Sequence, residues 1–393
     1  MIGANFGDEG KGLAVDTLVR GVRDTVVIRH NGGAQAGHTV ETGEKRFVFH
    51  QLSSASFRGA DTFWAQTFFP DLYKLRDETD AFRETAGFVP KIFADPLAFV
   101  TTIDDVLINM AAETKRGKNR HGSCGMGINE AVLRSSRGFG VTVGDAASLS
   151  AGQILRQLRI NREQYVPERM DELGLSFDEA GEYGELLRDE TVLQNFAEVV
   201  KRASSLVILV SEPARFFAER AQIVYEGAQG LLLDAENAAY APHVTASRTG
   251  LFNPQKVSAR YETPIGCAIY VMRGYVTRHG AGRLDCERPA SELGVLEQDR
   301  TNVANEWQGR LRYGVYPSPE ALAGAILSDA DGFGGKVVLF ITHLNETDGA
   351  VLFENGHIHA EKVAEHPAFR GRIDAVYLSS SRFAEDVIRL DLH

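Results

Sequence analysis

Short runs of β-branched and aromatic residues alternate along the chain with segments whose apolar positions recur at helical spacing. The runs predict strands at 25–30 (TVVIRH), 46–51 (RFVFHQ), 205–210 (SLVILV), 222–226 (QIVYE), 268–272 (AIYVM) and 336–342 (KVVLFIT). The helical pattern covers 103–115, 148–158, 191–204 and 319–328. Several of these strands are apolar throughout rather than alternating. Such strands are buried on both faces, which places helices over both sides of a parallel sheet. The pattern predicts the α/β class, with a central, mostly parallel sheet and flanking helices. No repeat, low-complexity segment or linker divides it, so residues 1–393 read as a single elaborated domain. A helical excursion is expected over 147–204, its stretch 161–189 rich in Glu and Arg.

Composition narrows the function. A chain of 393 residues with 44% hydrophobic residues can bury a sizeable core. The net charge of −11 argues against a general nucleic-acid binder, whose affinity comes from neutralising phosphates. Any phosphate site must then be local. Cys124, Cys267 and Cys286 are far apart and form no CxxC pair, so neither a disulfide framework nor a zinc site is expected. The first residues carry no basic, apolar leader pattern, and no apolar run reaches membrane-spanning length. A reducing, cytoplasmic setting is expected.

The sharpest local signal lies near the start. Ile2-Gly3-Ala4-Asn5-Phe6 reads as a brief strand, followed by Gly7-Asp8-Glu9-Gly10-Lys11-Gly12 and a helical run. Glycines at a strand-to-helix turn let backbone N–H groups approach a phosphate, and the helix N-terminus adds partial positive charge. Lys11 would add a full one. This is not a Walker loop. Asn5 stands at its expected first glycine, and Gly12 replaces the hydroxyl residue that would hold magnesium. A plain glycine-rich turn with solvated charges is the alternative. A second glycine-rich loop, Arg29 to Thr39 (RHNGGAQAGHT), follows a strand directly. It carries His38, which alone would read as a surface or structural histidine.

Taken in order, these loops resemble the adenylosuccinate synthetase family, whose loops read approximately WGDEGKGK and NAGHT. Further segments match in family order: Val143-Gly144-Asp145; Glu226-Gly227-Ala228-Gln229-Gly230 with Leu232-Leu233-Asp234 and Val244-Thr245-Ala246-Ser247; Thr277-Arg278-His279-Gly280-Ala281-Gly282 (TRVGAG in the family); Gly309-Arg310-Leu311-Arg312; and Thr342-His343-Leu344-Asn345 with Asp348-Gly349 (TKLDxxDG). The resemblance implies the family fold, a homodimer and a magnesium-dependent ligase. Such an enzyme uses a nucleoside triphosphate to join L-aspartate to a 6-oxopurine nucleotide.

The resemblance also implies roles. Asp8 would take the N1 proton and bind Mg2+ together with the Gly37 carbonyl. His38 would assist phosphoryl transfer. Gly10, Lys11, Gly12, Gly37, His38, Thr39 and Asn345 would line the triphosphate site. Gln35, Ser123, Cys124, Gln229 and Thr245 would hold the monophosphate nucleotide, and Arg134 (otherwise Arg137) would reach one in the partner subunit. Arg310 and Arg312 would grip the carboxylates of aspartate. The chemistry suits these types. A carboxylate base makes the purine's 6-oxygen nucleophilic, cations and oriented N–H groups meet the charge on the moving phosphoryl, and guanidinium forks match carboxylates.

The departures bear on substrate. Asn345 stands where the family has the aspartate that accepts two guanine donors. An amide donates and accepts, which suits adenine, so ATP or dATP is expected in place of GTP. The tail at 378–383 (LSSSRF) lacks the family's STGPDR ending near that base. Gln35 replaces the Asn of NAGHT, SCGMGI at 123–128 replaces TTGRGIG, and RLDCE at 283–287 replaces PFPTE. These changes resemble the phage branch, the 2-amino-2′-deoxyadenylosuccinate synthases, which act on dGMP in place of IMP. Asp8 cuts the other way, because some of that branch lose it. Ordinary IMP and GTP chemistry is the alternative. A simple kinase is disfavoured by the non-Walker loop and the arginine pair, and a nucleotide-sensing pseudoenzyme by retention of the base.

Overall fold

The computed structural model describes residues 1–117, 120–123, 125–295 and 309–392. Two five-stranded sheets make its centre. In the first, the spatial order is Ile2–Gly3, Cys267–Arg273, Lys336–Thr342, Ala375–Leu378 and Ile388–Asp391, parallel except for the last strand. In the second it is Val207–Leu209, Ile92–Ala94, Asp61–Trp64, Thr25–Arg29 and Gln222–Glu226, all parallel. The sheets meet edge to edge. The Gly227 N–H donates to the Met1 carbonyl at 3.1 Å, and Gly3 pairs with Gly230 in a parallel bridge.

The apolar strands are buried as their composition demands. All of Thr25–Arg29 is buried, as are Ala268 to Arg273 and Val337 to Thr342. The helix Lys11–Val19 lies across the join. Its Ala14, Val15 and Val19 pack in one cluster with Val27 and Val224 of one sheet and Ile269, Val271 and Phe340 of the other. This cluster ties the two sheets together beneath the first loop.

The expected helices occur at Ile103–Arg116, Ala151–Ile160, Glu190–Ala203 and Pro319–Asp329. Between 147 and 204 the chain is largely helical, and Val166–Glu172 and Glu182–Arg188 add to those already named. The apolar run at 46–51 does not join a central sheet. It forms Lys45–Phe49, which pairs antiparallel with His38–Thr42 in a separate hairpin. The helix Leu72–Ala86, which the hydrophobic pattern left unmarked, covers part of the second sheet.

Arg134 corrects an expectation. It was to reach a monophosphate across a dimer, yet it is buried and spent within its own chain. Nε and Nη2 donate to the Asp105 carboxylate at 2.9 and 2.8 Å, Nη2 also to Val100 O at 2.9 Å, and Nη1 to Phe139 O at 3.1 Å. Asp105 also closes the capping box of helix Ile103–Arg116 by accepting from the Thr102 N–H at 2.7 Å. The pair locks helix Ile128–Ser136 onto its neighbour. Arg137 lies nearer the surface, held by Glu172 at 2.8 Å and Glu168 at 3.5 Å.

A second buried group sits just past strand Thr25–Arg29. His30 is fully buried, and neither ring nitrogen finds a partner among the described residues. Burial, reinforced by nearby positive groups including Arg29, pulls its pKa down to about 3.

Two outcomes follow. Arg134→Leu leaves the Asp105 carboxylate buried and unpaired, and denaturant titration should show a loss of about 3–5 kcal/mol. An unchanged midpoint would contradict the lock. For His30 the folded pKa lies below the unfolded value, so the unfolded chain takes the proton first as pH falls below about 6.5. Between pH 7 and pH 5 this group alone should remove about 2 kcal/mol of stability. His30→Phe should show a correspondingly smaller drop over that interval. Equal drops would mean that the native protein accepts the proton.

Candidate active site

Strand ends and loops from both sheets surround one large cleft of about 1200 Å³. That exceeds the usual single-ligand range and leaves room for more than one nucleotide-sized molecule.

The first loop is shaped from inside. Glu9 is buried, and its Oε1 accepts the N–H groups of Asn5 and Gly7 at 3.0 and 2.8 Å. Its Oε2 pairs with Lys11 Nζ at 2.7 Å. Lys11 lines the cleft, but as half of a buried ion pair and not as the free charge its sequence context suggests. Gly7, Asp8 and Gly10 have φ of 98°, 59° and 92°, all in the left-handed region. Asp8 is the one that bears strain for it. Neighbouring segments fix the loop: Thr342 Oγ1 donates to Glu9 O at 2.8 Å, and Arg273 Nε donates to Asp8 O. Gly12 is required by the second loop. A Cβ there would sit 2.8 Å from the Thr39 carbonyl, so the hydroxyl residue of a Walker loop has no room.

The second loop brings His38 to the cleft. Its Nδ1 lies 2.5 Å from Glu226 Oε1. Glu226 is fully buried and accepts the Ser54 N–H at 3.2 Å and the Ser54 hydroxyl as well. Burial alone would raise this carboxyl, but Arg29, His38 and Ser54 outweigh it and hold it at about 2. Burial lowers His38 to about 4 against the pull of Glu226. The neutral imidazole therefore donates Nδ1–H to Glu226, which leaves Nε2 as the bare nitrogen.

Other expected residues line the same cleft: Gly10, Gln35, Gly37, Thr39, Ser123, Gln229, Thr245 and Asn345. The side-chain oxygens of Gln35 and Gln229 are buried and find no donor among the described residues. Gln229, like Asp8, has a left-handed backbone, with φ of 56°. Ser123 is engaged with Asn109 at 2.8 Å. Cys124 lies outside the described residues. Asn345 is exposed near Ser380, Ser381, Arg382 and Phe383 on the cleft wall. The arginine pair is not brought into that wall. Arg310 is exposed, and Arg312 forks Glu287 at 2.9 and 2.6 Å while donating to Gly282 O at 2.8 Å.

Sequence reasoning gave no role to Glu9, Glu226 or His279. Glu226 could have been found: it is the only charged residue of the run QIVYE and falls at its site-facing end. His279 stands with Nε2 3.6 Å from Asp8 Oδ2.

Comparison with known proteins shows the family. Residues 1–314 match the family model described as adenylosuccinate synthetase. The adenylosuccinate synthetase of Nostoc sp. is 30% identical over 319 residues, 79% of this chain and 67% of that protein. That of Gloeobacter violaceus is 28% identical over 392 residues, 96% of this chain and 83% of that protein. Among solved structures, the fully ligated adenylosuccinate synthetase of Plasmodium falciparum superposes with a TM-score of 0.72 at 15% identity, covering 99% of both chains. The cyanophage S-2L succinoaminodeoxyadenylate synthetase bound to dGMP and dATP gives 0.63 at 15% identity, covering 98% of this chain and 93% of that one. Two glycine-bearing loops on one cleft, with Asp8, His38 and Gln229 around it, thus belong to a carbon–nitrogen ligase, and the chain is a member of the adenylosuccinate synthetase family.

Proposed function

We propose that this ligase joins L-aspartate to C6 of dGMP, with ATP or dATP as phosphoryl donor. The observation that carries the reading is Asn345, an exposed amide on the cleft wall at the position of the family's guanine-selecting aspartate. Its oxygen can accept from the adenine amino group while its N–H donates to the ring nitrogen. The altered residues Gln35 and Ser123 support a different acceptor nucleotide, and the cyanophage protein offers a precedent for dGMP with dATP on this fold. A second reading, IMP with GTP, is favoured by the names of the curated relatives and by retention of Asp8.

In the proposed reaction Asp8 takes the proton from N1 and the exocyclic O6 attacks the γ-phosphorus, breaking its bond to the β,γ-bridging oxygen and releasing the nucleoside diphosphate. The aspartate amine then displaces phosphate from C6. His38, oriented by Glu226, would contact the moving phosphoryl group. Gly10, Lys11, Gly12, Gly37 and Thr39 would surround the triphosphate, and Gln35, Gln229, Ser123 and Thr245 the monophosphate nucleotide. Arg310 and Arg312 would hold aspartate once Arg312 exchanges Glu287 for a substrate carboxylate. The residues present fit magnesium. The Asp8 carboxylate accepts no hydrogen bond from the described residues, Gly37 lines the same cleft, and hard oxygen ligands suit this ion. No group of three or more His, Cys, Asp or Glu surrounds Asp8 among the described residues, so phosphate oxygens would complete the shell. Bound there, magnesium would offset charge on the transferring phosphoryl. A homodimer is part of the proposal, with Arg137 in place of Arg134 as the residue available to a partner.

A grid of IMP, GMP and dGMP against ATP, dATP and GTP, read as aspartate-dependent phosphate release, tests this. The expected maximum is dGMP with ATP or dATP, and a preference for IMP with GTP would overturn it. Asn345→Asp should move the ATP-to-GTP preference toward GTP by about tenfold or more. Glu226→Gln should lower kcat by about tenfold or more with the donor KM little changed, because His38 loses its orienting carboxylate. An unaffected kcat would remove His38 from phosphoryl transfer.

A further inference from the structure

His279 occupies the position at which the family motif TRVGAG has valine. An aliphatic side chain offers Asp8 nothing polar, whereas an imidazole does. Nε2 of His279 lies 3.6 Å from Asp8 Oδ2, and the two side chains are only 16% and 29% exposed. Among the described residues no N–H or O–H donates to the Asp8 carboxylate. Among the described residues His279 is the ion-pair partner that its carboxylate has. The other ring nitrogen, Nδ1, is buried, and among the described residues it has no hydrogen-bond partner that would compete for the imidazole.

The two groups are held very differently. His279 rides on a braced turn. Gly280 lies back to back with Gly122, where a Cβ on Gly122 would come within 2.8 Å of the Gly280 Cα. Arg312 Nη1 donates to the carbonyls of Gly280 and Gly282 at 3.3 and 2.8 Å, and Arg278 Nη2 donates to His243 O at 2.9 Å. Asp8 instead projects from a left-handed loop residue, with only its backbone carbonyl anchored by Arg273. A base that must meet one ring proton loses rate when its carboxylate samples several directions.

We propose that His279 is a positioning residue for Asp8. Nε2–H donates to Oδ2 when the cleft closes on its nucleotides, leaving Oδ1 aimed at N1 of the purine. A gap of 3.6 Å needs to shorten by less than 1 Å, in keeping with the loose geometry of empty active sites. This rests on the reading of Asp8 as the base.

The test compares His279→Val, the family's own residue, with His279→Gln, whose amide nitrogen can stand near Nε2. His279→Val should reduce kcat by about tenfold, with the triphosphate KM within about twofold of wild type. His279→Gln should recover to within about threefold. Crystal structures of wild type and His279→Val, each with purine monophosphate bound, should place Nε2 within hydrogen-bond distance of Oδ2 in the first and a turned Asp8 carboxylate in the second. Wild-type turnover in His279→Val, equal losses in the two variants, or one Asp8 rotamer in both crystals would overturn the proposal. Asp8→Asn keeps the two questions apart. Normal turnover in that variant would refute Asp8 as base, while the crystallographic comparison still decides whether His279 sets its direction.

Discussion

The site depends on how closely two backbones approach where the central sheets meet. A Cβ on Gly3 would lie 2.5 Å from both the Gln229 carbonyl and the Glu9 carboxylate, and one on Gly230 would lie 2.4 Å from the Asn5 carbonyl. Neither position tolerates a side chain. Because both are glycine, the Glu9 carboxylate fits between the strands and gathers Asn5, Gly7 and Lys11 around itself. The curvature that turns the first loop toward the cleft follows from that buried group. Asp8 and Gln229, which line the cleft with left-handed backbones as His343 does, are set on either side of that contact.

Functional side chains in and beside the cleft are held by fixed partners. Lys11 is offset by Glu9, His38 is oriented by Glu226, and Arg312 is forked onto Glu287. Pre-set partners cost the protein little reorganisation, which is how oriented groups stabilise charge that appears only during reaction. Buried charges without partners are expensive. That expense explains why Arg134, once inside the protein, is committed to Asp105.

Much of this was legible in the sequence because the signals were local. The apolar strands gave the sheets, and glycine spacing gave both loops. The family motifs then tied Asp8, His38, Gln229 and Asn345 to one site, and all four line the same cleft. What stayed hidden depends on partners distant along the chain. Glu226 becomes meaningful only when His38 and Ser54 fold against it, and His279 only when Asp8 does. Arg134 misled because a motif position says nothing about burial. The run RFVFHQ misled less: its apolar content was read correctly as a strand, but its partner, the His38–Thr42 segment, was too polar to anticipate.

Joining the sheets has a consequence for the molecule's behaviour in solution. A β-sheet boundary is a row of unspent backbone hydrogen-bonding groups, and it invites recruitment by another chain. Fusing the central sheets removes two such boundaries and leaves only Val207–Leu209 and Ile388–Asp391 at the outer margins of this pair. Both are short, and although each presents an exposed isoleucine, the second also carries Arg389 and Asp391. The same glycine contact that shapes the catalytic loop thereby shields a wide array of strands from runaway self-assembly.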